Sequence, residues 1–440
     1  MLEYAEYLSI FVHTFLIMKI LNILFPGLFL CFAAVSCQKD DMDSQNAANR
    51  QIADYLYAVE YDDYDFQANL AFFNEQLMPD YPGCSEVRKG RFVGRNLDWY
   101  INNDASVIIK INHTDDHYAS IGMTGCFPDL SNALAKSGEF LDAYRYLPFK
   151  TVDGINEKGL YIGINVAPTG ETSFDPSTWE PYSYGHGAAH TNPSSDMHCC
   201  VNYLVRIVLD RAGSVEEAMD VIAGIDWTEP ADFPQEGVSQ AFHWLICDSA
   251  KSVVLEFMDN EAVYTIAPDN SEPSLGNIMT NFTNCLMEKG LIQKCGCGLE
   301  RWDILNDNYA STPVTFEGMQ ELMKKVWYTN AYTIDPSSHD FWFTEWCDGG
   351  FSSIDMYRNY ALCDNAEFVE GFRDFLKIFD DPDNWHSDDT PLWYTTHTSI
   401  YDLESKSFRV LVHEGRDGQQ DYYEVSLENS HYPKPLDFVK

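Results

Sequence analysis

The feature that most limits the fold is a grouping of strand-like segments into three sets, with pairs of amphipathic helical segments between them. The first set runs through "RFVGRNLD" and "SVIIKINH" into "LPFKTVDGINEKGLYIGINVAP", a hairpin with strands near 148–153 and 159–166. The second is "FHWLICDS", "SVVLEFMD" and "AVYTIAP"; the third is "WYTTHTSIYDL", "SFRVLVHEG" and "DYYEVSLEN". β-Branched and alternating residues mark these as strands joined by tight turns. "VNYLVRIVLDRAG" has apolar residues at helical spacing and ends at Gly213. Ser214 then opens "SVEEAMDVIAG" with Glu217 three residues on, a capping-box pattern. "ERWDILNDNYA", "FEGMQELMKKVW" and "EFVEGFRDFLKIF" are further amphipathic helices. Strand sets parted by helical pairs, in place of strict β–α alternation, predict an α+β fold with antiparallel sheets.

Length and charge narrow the function. A chain of 440 residues suits one large domain or two ordinary ones, and 45% hydrophobic with 14% aromatic content supplies a sizeable core. The net charge of −40 excludes nucleic acid as a partner, since nothing balances the phosphates. It fits a soluble body kept apart by self-repulsion. Segments 168–197 and 329–351 are irregular and rich in Tyr, Trp, Ser and Pro, the composition of a lid or pocket wall.

The N-terminal segment reads as a targeting signal. "MKILNILFPGLFLCFAAVSC" has a basic start at Lys19, an apolar run and small residues up to Cys37, which places the functional start at Met18. Ala34-Val35-Ser36-Cys37 followed by "QKDD" resembles a bacterial lipoprotein signal, with Cys37 lipidated and the protein exported to the periplasm or the outer membrane. Residues 38–83 then form a tether and propeptide, and 84–440 the main domain. Apart from Cys37 and Cys84, nine cysteines follow the signal, an odd number that cannot all pair within the chain. "HCC" at 198–200 and "CGC" at 295–297 hint at metal, but neither has a second half at zinc-site spacing, so no metal and no cofactor is expected.

Cys84 carries the chemistry. It follows Gly83 and the turn signal "MPDYPG". A thiolate is a strong nucleophile that needs a base. Cutting Gly83–Cys84 would give Cys84 a free α-amine, with a reference pKa of about 7.7–8.0, within reach of its own thiol. A residue without a side chain at 83 lets that thiol approach the preceding carbonyl. Arg95 can favour the thiolate and Asp98 can hold the α-ammonium. Acyl transfer also needs oxyanion donors, for which Asn165 in "GINVAP" and Asn281 in "IMTNFTN" are candidates. A cysteine protease using His186, His190 or His243 is the competing nucleophile arrangement, with no pattern selecting one histidine.

From Cys84 to about Asn429 the chain resembles the choloylglycine hydrolase and penicillin V acylase family of linear amide hydrolases. The matches come in order: "C…GRNLDW", "GINEKGLYIGINVAP", "FHWLICDSAKSVVLEF", "IMTNFT" and "GLERWDIL". The resemblance implies an N-terminal-nucleophile hydrolase with a four-layer αββα fold. It implies Cys84 as nucleophile, its amine as base, and Arg95 and Asp98 as their frame. Asn281 through its side-chain amide and Asn165 through its backbone N–H would form the oxyanion hole, and Arg301 would stabilise the site. Three departures from the family stand out: a short Cys84–Arg95 segment, "INVAP" in place of "LNFP", and a nucleophile lying far behind the signal. The last requires removal of residues 38–83 or their retention as a separate chain.

The expected substrate is a small-molecule amide with an apolar acyl group, either an N-acyl amino acid or a conjugated bile salt. Penicillin V and N-acylethanolamine or ceramide-type amides are the alternatives within the class. A surface lipoprotein that binds ligand without cutting it is the alternative outside it. Membrane contact is expected only through the lipid anchor, and a homo-oligomer is compatible with the sequence.

Overall fold

The computed structural model describes residues 51–53, 56–67, 84–100, 106–124, 147–167, 188–228, 241–268, 270–289, 299–327, 393–412 and 422–428. The expected signal, Cys37, Gly83, the 329–351 segment and the helix "EFVEGFRDFLKIF" lie outside these residues, as does most of 168–197. The chain divides between Asn49 and Arg50, and every described residue belongs to the unit Arg50–Lys440.

In chain order the first strands are β1 (Gln51–Ala53), β2 (Leu56–Tyr61), β3 (Cys84–Lys89), β4 (Phe92–Tyr100), β5 (Ser106–Ile111), β6 (Ser120–Thr124), β7 (Thr151–Asn156), β8 (Tyr161–Ala167) and β9 (His198–Cys200). Helices α1 (Leu204–Arg211) and α2 (Val215–Gly224) follow, then β10 (Asp226–Thr228), β11 (Ala241–Cys247), β12 (Ser252–Met258), β13 (Glu261–Ile266) and β14 (Ile278–Met279). The chain continues through α3 (Asn284–Glu288), α4 (Leu299–Tyr309), α5 (Phe316–Lys324), β15 (Trp393–Asp402), β16 (Ser407–Val412) and β17 (Tyr423–Ser426).

These strands build a nine-stranded sheet, β1-β2-β5-β6-β7-β8-β11-β12-β13, a six-stranded sheet, β14-β3-β4-β15-β16-β17, and a two-stranded sheet, β10-β9. Alternation along single strands stacks them. In β11, Trp244 and Ile246 join one apolar core while Leu245 and Cys247 join another. Side chains two apart share a face, so this sheet is covered on both sides. Its first core packs Val205, Val208 and Leu209 of α1 and Ala218 and Ile222 of α2 against Ile162 and Trp244. Its second core joins Ile108, Ile155 and Leu245 to Val93, Tyr401, Phe408 and Val410 of the six-stranded sheet. The far face of that sheet, through Val87, Ile278 and Ile400, packs on Leu305 and Tyr309 of α4 and Met319 and Met323 of α5. The result is four layers, helix, sheet, sheet, helix. Gly94 lets α5 come close, since a β-carbon there would stand 2.6 Å from Met323 Cγ.

The expected cap of α2 forms: the Glu217 N–H donates to Ser214 Oγ at 3.2 Å. The Glu217 carboxylate reaches back one residue further than a capping box requires, accepting from the Gly213 N–H at 2.7 Å. Two features differ from the sequence reading. The sheets are not wholly antiparallel, because β2 pairs with β5 and β10 with β9 in parallel. Residues 51–53 and 56–61, expected within the tether and propeptide, are strands of the nine-stranded sheet, and Leu56, Val59 and Tyr61 are buried. The acids interleaved in "YAVEYDDYD" mask the apolar alternation of so short a strand.

Candidate active site

Cys84 begins β3 and is fully buried. Its strand pairs antiparallel with β4, matching Cys84 with Leu97, Ser85 with Asn96 and Glu86 with Arg95. Paired residues point to the same face. Cys84, Glu86 and Arg95 therefore project between the two sheets, whereas Ser85, Asn96 and Asp98 project toward the helices. Arg95 and Asp98, three apart on β4, flank Cys84 from opposite faces.

On the inner face Arg95 is the hub. Its Nη2 lies 3.7 Å from Cys84 Sγ and donates to the Ile164 carbonyl at 2.9 Å. Its Nη1 donates to the Val152 carbonyl at 2.6 Å and pairs with Asp153 at 2.9 Å and Glu86 at 3.6 Å. Tyr161 donates to Glu86 at 3.0 Å, and the Tyr401 hydroxyl donates to Asp153. His397 Nε2 stands 3.8 Å from Asp153, with Nδ1 3.2 Å from Ser106 Oγ. Room for this cluster comes from Gly163, where a β-carbon would sit 2.5 Å from both Glu86 Oε2 and the Tyr161 hydroxyl.

On the outer face the hub is Arg301, carried by α4. Its Nη1 donates to the Cys84 carbonyl at 2.7 Å and to Ser85 Oγ at 2.8 Å, and pairs with Asp98 at 3.0 Å. Thr395 of β15 donates to the other Asp98 oxygen at 2.7 Å. Asn281, just past β14, accepts at Oδ1 from the Cys84 N–H at 2.9 Å and also from Arg301 Nη2. With donors on both sides of Oδ1, the orientation of the amide is fixed and its Nδ2 is turned away from the Cys84 nitrogen. Asn165 Nδ2 donates to the Thr280 carbonyl at 3.2 Å, one residue from Asn281. Ile164, beside Asn165, is the residue whose carbonyl Arg95 holds.

All six expected site residues, Cys84, Arg95, Asp98, Asn165, Asn281 and Arg301, are thus buried in one connected cluster. Sequence reasoning missed Glu86, Asp153, Thr395, His397 and Tyr401. Glu86 was visible in principle, two residues from Cys84 and so on its face of the strand. The histidines considered as protease bases are engaged elsewhere: His243 lies 2.8 Å from the Thr280 carbonyl and 3.3 Å from Glu256, and His190 lies 2.9 Å from Asp226. His186 is outside the described residues.

Burial sets the protonation of the cluster. It pushes the Cys84 thiol up to about 11, with Arg95 pulling the other way. In the continuous chain the sulfur is therefore a thiol at neutral pH. Burial also raises Asp98 to about 7 against the pull of Arg301, and Glu86 to about 8 against that of Arg95. Asp153 is likewise buried, yet Arg95 and His397 outweigh that and hold it below its ordinary value. One carboxyl beside Arg95 is thus ionised while its neighbour keeps a proton.

A stability prediction arises here. Glu86 is raised from an ordinary 4.5 to about 8, so the folded chain binds this proton more tightly than the unfolded chain. That contribution is complete below the ordinary value and is lost as pH rises through about 8. Asp98 adds the same trend, between its ordinary 3.8 and about 7. Urea unfolding of the wild type is expected to show falling stability over this window, and Glu86→Gln a visibly shallower slope. Equal slopes would mean that Glu86 is already ionised in the folded protein.

Residues 85–266 match the family of linear amide C–N hydrolases described as the choloylglycine hydrolase family. The match begins directly behind Cys84 and runs to the end of β13. No curated protein matches the chain. Among solved structures, a mutant conjugated bile acid hydrolase from Clostridium perfringens is 14% identical, covering 79% of this chain and 92% of that one at a TM-score of 0.37. Penicillin V acylase from Agrobacterium tumefaciens is 12% identical, covering 78% and 86% at a TM-score of 0.36. Both likenesses are weak, and the layered fold rests on the strands and cores described above. Over this matched segment the chain resembles the choloylglycine hydrolase family, and it is an amidohydrolase acting on linear amides.

Proposed function

We propose that this enzyme hydrolyses amides of an apolar acyl group, first among them N-acyl amino acids or conjugated bile salts, through an acyl-thioester on Cys84. The observation that carries the reading is that the nitrogen and the sulfur of Cys84 each have their own partner: Asn281 Oδ1 at 2.9 Å and Arg95 Nη2 at 3.7 Å. A residue that serves as both base and nucleophile needs both atoms fixed.

The first turnover is on the chain itself. Cys84 Sγ attacks the Gly83 carbonyl, the Gly83–Cys84 C–N bond breaks, and the thiol proton goes to the departing nitrogen. Water then hydrolyses the thioester, leaving a carboxylate on Gly83 and a free amine and thiol on Cys84. That amine accepts the thiol proton in later turnovers. Sγ attacks the substrate carbonyl, Asn281 and the Asn165 backbone stabilise the oxyanion, the amine product leaves with the proton, and water releases the acid. Arg301, on the Cys84 carbonyl and Asp98, keeps the new chain end in place. A panel of glyco- and tauro-conjugated bile salts, N-acyl amino acids, penicillin V and N-acylethanolamines tests the substrate class. Amine release from the conjugated bile salts or an N-acyl amino acid is expected, and release from penicillin V alone would contradict the assignment.

The segment ahead of the cut stays with the enzyme in this reading. β2 lies between β1 and β5, and Glu60 forms a buried pair with Lys110 at 3.3 Å while accepting from Asn112 at 2.9 Å. Beyond it, Tyr64 donates to Asp210 and Phe66 packs on Phe149. Losing the segment would bare the edge of β5 and break the buried Glu60–Lys110 pair. The mature protein is therefore expected to elute from gel filtration as two chains together and to separate only in denaturant. A mature chain that keeps its fold without residues 51–67 would contradict this.

A further inference from the structure

We propose that His190, His198 and Asp226 form a divalent transition-metal site, suited to zinc, away from the residues that surround Cys84. The "HCC" motif is discounted as a metal site on sequence because it lacks a second half. The structure supplies other partners for its histidine. β9 and β10 run parallel with His198 paired to Asp226, which sets the two side chains on one face. Cys199 and Cys200 are buried in the apolar core beneath α1 and α2 and take no part.

His190 comes from the preceding loop. That loop is fastened by the His190 N–H donating to the Trp227 carbonyl at 3.1 Å and by a bridge between Ala189 and Thr228. His190 has φ 72, the left-handed conformation, which is uncommon for a residue with a β-carbon. Both rings present Nδ1 to the same oxygen: Asp226 Oδ2 lies 2.9 Å from His190 and 2.7 Å from His198. The other carboxylate oxygen accepts the Asn192 N–H at 2.9 Å, an outer partner that fixes its orientation. Asp226 is buried, while the His190 and His198 side chains are 64% and 57% exposed.

Two imidazoles and one carboxylate form a donor set for borderline ions such as zinc. The three ligand atoms lie within 4.8 Å of one another. A tetrahedral ion with bonds of about 2.0–2.1 Å holds its ligand atoms roughly 3.3 Å apart, so each ring needs to part from the carboxylate by about half an ångström, with the two rings brought to a similar spacing. Each ring offers Nδ1 to the ion and carries its proton on Nε2. Water fills the fourth position. A chain of net charge −40 also draws cations to its surface. Bound metal would pin the 188–198 loop to β10.

The test is titration of metal-free, full-length protein with zinc chloride alone, read by calorimetry and by metal content after dialysis. Wild type is expected to hold one zinc more per chain than His198→Ala or His190→Asn, the second chosen because asparagine tolerates the left-handed backbone. Zinc should raise the melting temperature of wild type and leave that of both variants unchanged. Cys84 and the other thiols are present in all three proteins, so zinc bound to sulfur cancels in the comparison. Equal zinc content in wild type and variants would overturn the proposal and leave the three groups as a hydrogen-bonded clasp.

Discussion

Cys84→Ala is expected to give a single uncut chain that releases no amine from any substrate, a loss of about 10⁴-fold or more relative to wild type. The substitution removes the proposed nucleophile of both proposed reactions, cleavage of the chain and hydrolysis of the substrate. The fold should survive it. Cys84 contributes one small side chain to β3, and the strand pairing on both sides of it does not depend on its sulfur. Amide hydrolysis that persists in a folded Cys84→Ala protein would place the nucleophile elsewhere. A slow, uncut Cys84→Ser chain would instead locate the difficulty in the weaker nucleophile and leave the site assignment standing.

Arg95→Met is expected to fail for a different reason. The guanidinium is fully buried and neutralises Asp153 while holding the Val152 and Ile164 carbonyls. Removing one partner of a buried ion pair leaves the other charge uncompensated, at a cost of about 3–5 kcal/mol. Much of the protein should then be unfolded at moderate urea, with self-cleavage slowed in what remains. Arg95→Lys separates the two roles. It keeps the charge and loses the fork that spans two strands of one sheet and the thiol on the other. It should fold better than Arg95→Met and still turn over slowly, with the loss mainly in kcat. Wild-type kcat in Arg95→Lys would show that the residue only holds the sheets together.

Much of this site is legible from residue parity. Cys84, Glu86 and Arg95 share a face because paired and alternate residues must. By the same rule Asp98 belongs with Ser85 and Asn96 on the opposite side. What parity cannot give is the partner across a layer. Asp153 and Tyr401 meet only because two sheets stack, and Arg301 reaches Asp98 only because α4 lies on the outer face. The same limit hid β2, whose parallel partner β5 lies far along the chain, and it hid the meeting of His198 with Asp226. The three strand sets and the α1–α2 and α4–α5 pairs were readable because their apolar periodicity is local. Sheet order and the burial of residues 56–61 depend on pairings that no short window contains.

In the proposed mechanism the catalytic polypeptide begins at Cys84. The most direct test is the denaturing intact mass and N-terminal sequence of the purified wild-type protein, with Cys84→Ala as the control. The account predicts a chain starting at Cys84-Ser85-Glu86 in wild type and none in the variant. An unbroken Gly83–Cys84 bond in active wild-type protein would contradict it.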